Sequence, residues 1–379
     1  MNGIYPLRGT VKHYDWGGEY FIPHILGISN QEGKPYAEYW MGIHPSAHNL
    51  VEVDQHWTPL REKTTSLPFL LKLLDVKNML SIQVHPDLQG AVEGFERENA
   101  LGIPLDAPER NYRDRNHKPE LMVALSDFWL LHGFKPEEQM LDLLNNVELM
   151  QEFLPVFQEK GYKGLYEKIM KLEPDEVAFR LIPLRDSLLA NPPVNKEEED
   201  YWAAKAFRSN EKAVYDPGIF SIYLFNLLHL KKGEGIFQGA GLPHAYLEGQ
   251  NVEIMANSDN VLRGGLTSKN VDVTELLRHV KCTGTYPQII FYEPVSTENE
   301  YPAPVNDFHL SSYRIGKGRT LRLNSSREGV LLVTEGSVKT EGIILGKGLP
   351  AAYLEKSGEI MLEALEDSLV FLASQPSGK

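Results

Sequence analysis

Apolar residues in the first 134 positions fall in short stretches broken by Gly, Pro and Asn, among them LPFLLKLLDV at 67–76, MLSIQVHP at 79–86 and ELMVALSDFWLLHGF at 120–134. Short apolar runs bounded by turn residues predict strands. Between about 136 and 210 the period lengthens. Met140, Leu141, Leu144, Val147, Phe153, Leu154 and Phe157 recur at helical spacing there, which predicts amphipathic helices punctuated by Pro155, Pro174 and the pair Pro192 and Pro193. The acidic run at 197–200 reads as a solvated face. Strand character returns in FSIYLFNLLHL at 220–230, VTELLRHV at 273–280 predicts a short helix, and a second β region follows a Pro-containing stretch that ends near 304.

One stretch occurs twice. Residues 234–248 read EGIFQGAGLPHAYLE and residues 341–355 read EGIILGKGLPAAYLE, with 11 of 15 positions identical and His244 replaced by Ala351. Gly241 and Gly348 suit a tight turn between strands, so the repeat itself is scaffold. A histidine dropped from one copy of a retained repeat is not needed for folding, which points to chemistry. Duplication and the many short strands predict a mainly β fold of two related barrels or sandwiches. The expected units are a β domain at 1–135 and 211–275, a helical insertion at 136–210 and a C-terminal β domain at 276–379.

A strand period of two puts Ser81, Gln83 and His85 on one face, with Ile82 and Val84 on the other. That polar row either lines an interior or forms the outer face of an edge strand. The run Tyr112-Arg113-Asp114-Arg115-Asn116-His117-Lys118-Pro119-Glu120 precedes an apolar strand, which Lys118 and Glu120 open with the same facing. A solvated loop is the plain alternative. His85, His244 and Glu120, with Gln83 as fourth member, would make a nitrogen and oxygen donor set suited to zinc. The polar loop at 256–269 carries Arg263 and Lys269, a bidentate fork and a flexible point charge that suit a phosphate.

The chain has a net charge of −14 and no Lys/Arg-rich block, which excludes a nucleic-acid partner but not one small phosphorylated ligand. No run of 18 apolar residues and no signal-peptide pattern is present, so no membrane partner is expected and the cytoplasm is the expected location. The single cysteine, Cys282, excludes thiolate metal clusters.

Together SIQVHPD, YRDRNHKPE, PHAYLEG and SDNVLRGGLTSK, in that order, resemble the type I phosphomannose isomerases, with weaker agreement in HYDWGG and AEYWMGIHPSAHN. The resemblance implies two cupin-like β-barrels with a helical insertion, and one zinc ion held by Gln83, His85, Glu120 and His244. It implies a substrate pocket of Trp16, Lys72, Ser81, Lys118, Tyr246, Glu253, Asp259, Arg263 and Lys269. RGGLTSK departs from the family's usual RAGLTPK at two uncharged positions, so the loop's charges are kept. The implied reaction interconverts mannose 6-phosphate and fructose 6-phosphate through an enediol in a monomeric enzyme. Glu253 and His44 compete as the base, Lys118 would stabilise oxygen charge, and Arg263 would serve either the phosphate or the reacting oxygens. An oxygen-activating iron barrel and a sugar-phosphate sensor without turnover are the competing readings, the first weakened by the neutral amide of Gln83.

Overall fold

The computed structural model describes residues 3–293, 297–325, 327–355 and 358–375. The chain is mainly β, with a helical block between two strand-rich regions. Its organising strand is His244–Ala256, paired antiparallel with Phe69–Val76 on one side and Glu120–Ala124 on the other, while its N-terminal end pairs with Phe128–Phe134 and with the short strand Gln83–Val84. These belong to an 11-stranded sheet. An eight-stranded sheet packs against it.

Alternation along the strands decides what each sheet face carries. Leu71, Leu73, Leu121, Val123, Val252 and Ile254 form one core with Val330, Leu332, Tyr353 and Phe371 of the second sheet. The intervening residues Lys72, Glu120 and Glu253 must then turn to the opposite face. A register shift between Tyr246 and Glu248, followed by Gly249 at φ 130°, resets the phase so that Tyr246 shares that face.

The stripe Met140, Leu144, Phe153 and Phe157 is buried against Ile82, Val84, Leu131 and Phe134, and Leu141, Val147 and Leu154 pack on its margin. Pro174 starts the helix Pro174–Ala190, where a missing N–H costs nothing. VTELLRHV gives the helix Val273–His279, capped by Asp272. Both repeat copies form strand, turn and strand, with Gly241 at φ 79° and Gly348 at φ 93°. Among the described residues no helix is long and apolar enough to cross a membrane.

Four expectations are corrected. The run at 220–230 is not all strand: Gly218–Leu224 is a helix buried at every residue, and the strand is Phe225–Leu230. A fully buried element loses the periodicity that separates helix from strand. The first 134 residues also hold a 13-residue helix, Leu88–Ala100, whose N-cap Asp87 accepts from Gly90 N at 2.7 Å. The polar row at 81–85 is a strand only over Gln83–Val84. The acidic run at 197–200 is partly engaged, because Lys135 meets Glu199 at 2.8 Å and Tyr223 donates to Asp200 at 2.7 Å.

The N-terminal strand Ile4–Arg8 lies in the second sheet, between Ala351–Leu354 and Leu50–Val53, with Leu7 opposite Ala351.

Candidate metal centre

His85, Glu120 and His244 are all buried and converge with one potential ligand atom each, all within 4.8 Å of one another. His85 Nε2 lies 3.4 Å and His244 Nε2 3.2 Å from Glu120 Oε2. The Nδ1 atoms sit 2.9 Å from the carbonyl of Asn260 and 3.0 Å from that of Leu242, so each ring donates there and turns a lone pair on Nε2 towards Glu120. Nε2 of His85 is buried with no hydrogen-bond partner. Such an orphan is costly unless another group meets it, and with a carboxylate and a second imidazole alongside, the donor set fits zinc. Burial pushes the His85 pKa down to about 4, which keeps the ring neutral and able to ligate. Burial would raise that of Glu120, but Lys118, 3.0 Å from Oε1, and His85 hold it well below the carboxylate range.

Gln83 stands opposite both His244 and Arg263 in the strand ladder. It also lines a cleft of about 640 Å³ with Trp16, Ser81, Arg263 and Lys269, so five of the sequence-derived residues share one cavity. Next to it runs a buried chain in which Tyr246 donates to Glu253 Oε2 at 2.8 Å and Lys72 meets Glu253 Oε1 at 3.0 Å. Burial raises the pKa of Glu253 despite Lys72.

His44 and Asp259 are paired with each other, Nε2 to Oδ1 at 3.4 Å. The amide of Ser46 donates to His44 Nδ1, Trp40 packs edge-on against the ring, and His44 borders a separate groove of about 240 Å³.

Three contributors escaped the sequence reading. Glu38 lines the cleft, lies 3.9 Å from Lys72 and accepts from the indole of Trp40. Alternation in AEYWMG would have found it, since Glu38 and Trp40 share a strand face. Tyr14 also lines the cleft. Asn260 accepts His85 on its carbonyl while its side chain accepts the amides of Arg113 and Asp114 and donates to the carbonyl of Asn116, which ties the segment before Glu120 to the strand end that orients His85. An interior loop asparagine gives no pattern to read.

Residues 4–137 match the family described as phosphomannose isomerase type I, catalytic domain. The mannose-6-phosphate isomerase of Salmonella typhimurium is 35% identical over 353 residues, covering 87% of this chain and 88% of that protein. That of Escherichia coli is 34% identical over 388 residues, covering 96% and 95%. A crystal structure of the Salmonella typhimurium enzyme bound to its substrate F6P and zinc resembles this fold with a TM-score of 0.87 at 29% identity, over 99% of this chain and 100% of that one. By relatives matched along nearly its whole length, in agreement with its fold and buried donor set, the chain belongs to the type I phosphomannose isomerases.

Proposed function

We propose that this protein is a zinc-dependent isomerase that interconverts mannose 6-phosphate and fructose 6-phosphate through an enediol. The observation that carries the reading is the buried trio His85, Glu120 and His244, with its orphaned Nε2, next to a cleft that holds Arg263 and Lys269. Relatives named for this reaction, and a relative's complex with F6P and zinc, support it.

Gln83, His85, Glu120 and His244 hold the ion. Zinc, when bound, supplies a redox-inert Lewis acid for the sugar's oxygens. The chain's own residues do the rest. Glu253 takes the proton from C2 and returns it at C1 while a second proton moves from the C2 hydroxyl to the C1 oxygen, and the burial-raised pKa of Glu253 suits a group that must both accept and release a proton. His44 is the weaker candidate, because Ser46 and Asp259 occupy its two nitrogens. Lys72 and Tyr246 orient the Glu253 carboxylate. Lys118 offsets negative charge at the substrate's oxygens, Arg263 and Lys269 hold the phosphate, and Trp16, Ser81 and Asp259 shape the sugar site.

In this reading the first cupin-like barrel, at 1–135 with 211–275, carries the helical insertion at 136–210, the second barrel spans 276–379, and the enzyme works as a cytoplasmic monomer. The net charge of −14 favours a dispersed, soluble chain and makes the local cations decisive for a phosphorylated substrate.

The test is turnover of mannose 6-phosphate before chelation, after it, and with zinc restored. Loss and recovery are expected. A folded, zinc-loaded protein without turnover would sink the assignment.

A further inference from the structure

We propose that Asp216 is a positioning residue that sets the conformation of the 263–269 loop and so aims Arg263 and Lys269 at the substrate's phosphate. The inference rests on the isomerase reading for the identity of the ligand. The contact itself belongs to this fold.

Asp216 sits where the helical block returns to the sheet, just before the helix Gly218–Leu224. Its Oδ1 accepts from Gly218 N at 2.7 Å and its Oδ2 from Thr267 N at 3.2 Å, so one carboxylate joins the helical block to the cation-bearing loop. Thr267 in turn accepts the amide of Lys269 on Oγ1 at 3.1 Å, which carries the restraint on to that cation. Across the loop, Ile82 exchanges two backbone bonds with it, accepting from Gly264 N at 2.9 Å and donating to Gly265 O at 3.0 Å. Ile82 adjoins Gln83. The loop is thus held on one side by the strand next to the metal centre and on the other by Asp216.

The loop needs that support. Gly265 has φ 111° and Leu266 has φ 53°, a left-handed value that a leucine adopts only where its surroundings fix it. The fit is also tight: a Cβ on Gly265 would fall 2.4 Å from Gly218 Cα and 2.7 Å from Asp216 Oδ1. Free of Asp216, the loop would keep its charges and lose their direction. Arg263 is weakened as a cation by burial and by Arg113, and Lys269 by burial, Arg263 and Arg113, so cations converge here and an anion would relieve them.

Zinc-loaded Asp216→Asn and Asp216→Ala would be compared with the wild type for KM and kcat on mannose 6-phosphate and for binding of inorganic phosphate by calorimetry. We expect KM and the phosphate Kd to rise about tenfold for Asp216→Ala and less for Asp216→Asn, which keeps one acceptor, with kcat changed less than about threefold. Gly265→Ala, which forces the same contact apart, should reproduce the phenotype. In a Lys269→Ala background the Asp216→Ala effect should shrink, because the part of it that acts through that cation is already lost and only the part through Arg263 remains. Effects that multiply, or a lowered Tm with KM and phosphate Kd unchanged, would overturn the proposal. If Asp216→Ala fails to fold, Asp216→Asn and Gly265→Ala decide it. If the wild type lacks turnover, the isomerase reading fails alone and the phosphate measurement still decides this one, with a ratio near one or no phosphate binding by the wild type counting against it.

Discussion

Lys72 Nζ and Glu253 Oε1 face each other at 3.0 Å across two adjacent strands, directly opposite in the ladder and both buried. Burial alone would strip the lysine of its proton, yet Glu253 and Glu38 raise its pKa instead. Burial likewise raises that of Glu253, against the pull of Lys72. Removing one partner of such a pair strands the other.

Lys72→Met is therefore expected to lower stability by up to about 3–5 kcal/mol at neutral pH. The sign of its pH dependence follows from Glu253. A carboxyl whose folded pKa is raised is least costly when protonated, so its contribution worsens as pH rises through that pKa. Without Lys72 the pKa climbs further. The gap in Tm between wild type and variant should widen as pH rises through and above the raised pKa of Glu253; a constant gap would show that the pair is not coupled.

The choice of base can be read from two substitutions. Glu253→Gln should cut kcat by about a hundredfold or more with little change in KM or zinc content. His44→Gln, which disturbs a residue already satisfied by Ser46 and Asp259, should cost much less. The reverse ranking would assign the proton transfer to His44.

The second repeat copy offers a test of what a metal centre requires. Ala351 is fully buried and stands opposite Leu7 and Leu332, and among the described residues His85, Glu120 and His244 form the grouping of three or more His, Cys, Asp or Glu able to hold an ion. Ala351→His should leave zinc content at one ion per chain. It should also destabilise the fold by about 1–3 kcal/mol through overpacking, measured as a lower denaturation midpoint. A second bound zinc would contradict this.

Acid should also act on a different network. Glu275 is reached by Tyr112 at 2.5 Å and Arg97 at 2.5 Å, with His279 at 3.4 Å. Burial would raise its pKa, but the hydrogen bonds from His279 and Tyr112 bring it from 4.5 down to about 2. A depressed carboxylate stabilises the fold above its unfolded pKa and stops doing so as pH falls through the folded one. Glu275→Gln should thus cost up to about 3 kcal/mol near neutrality, and that difference should shrink as pH falls from 4.5 towards 2. Chemical denaturation at several pH values would measure it.

Much of the site could be read in the chain because strand alternation is strict where one face is buried. His244 stands out through the unequal repeat and Glu120 through its place at the head of an apolar strand, whereas His85 lies just past the two-residue strand Gln83–Val84, so alternation alone does not place it. The helices at 137–209 follow from their stripes. What escaped lacks a period. Gly218–Leu224 is buried all round, and Asp216 and Asn260 act through loop amides that leave no mark on the spacing of apolar residues. The pairing of Leu7 with Ala351 joins positions 344 apart, a distance over which no local pattern speaks.

That pairing governs how the protein can be made. As the chain leaves the ribosome, the strand Ile4–Arg8 appears more than 300 residues before one of its two neighbours, Ala351–Leu354. Closing so long a loop is slow, and until it closes a strand edge and its apolar side chains stay open to other chains. Expression of fragments divided near 275 should consequently give aggregation rather than two folded halves, and chaperones that shield the first strand should raise the yield of the whole chain.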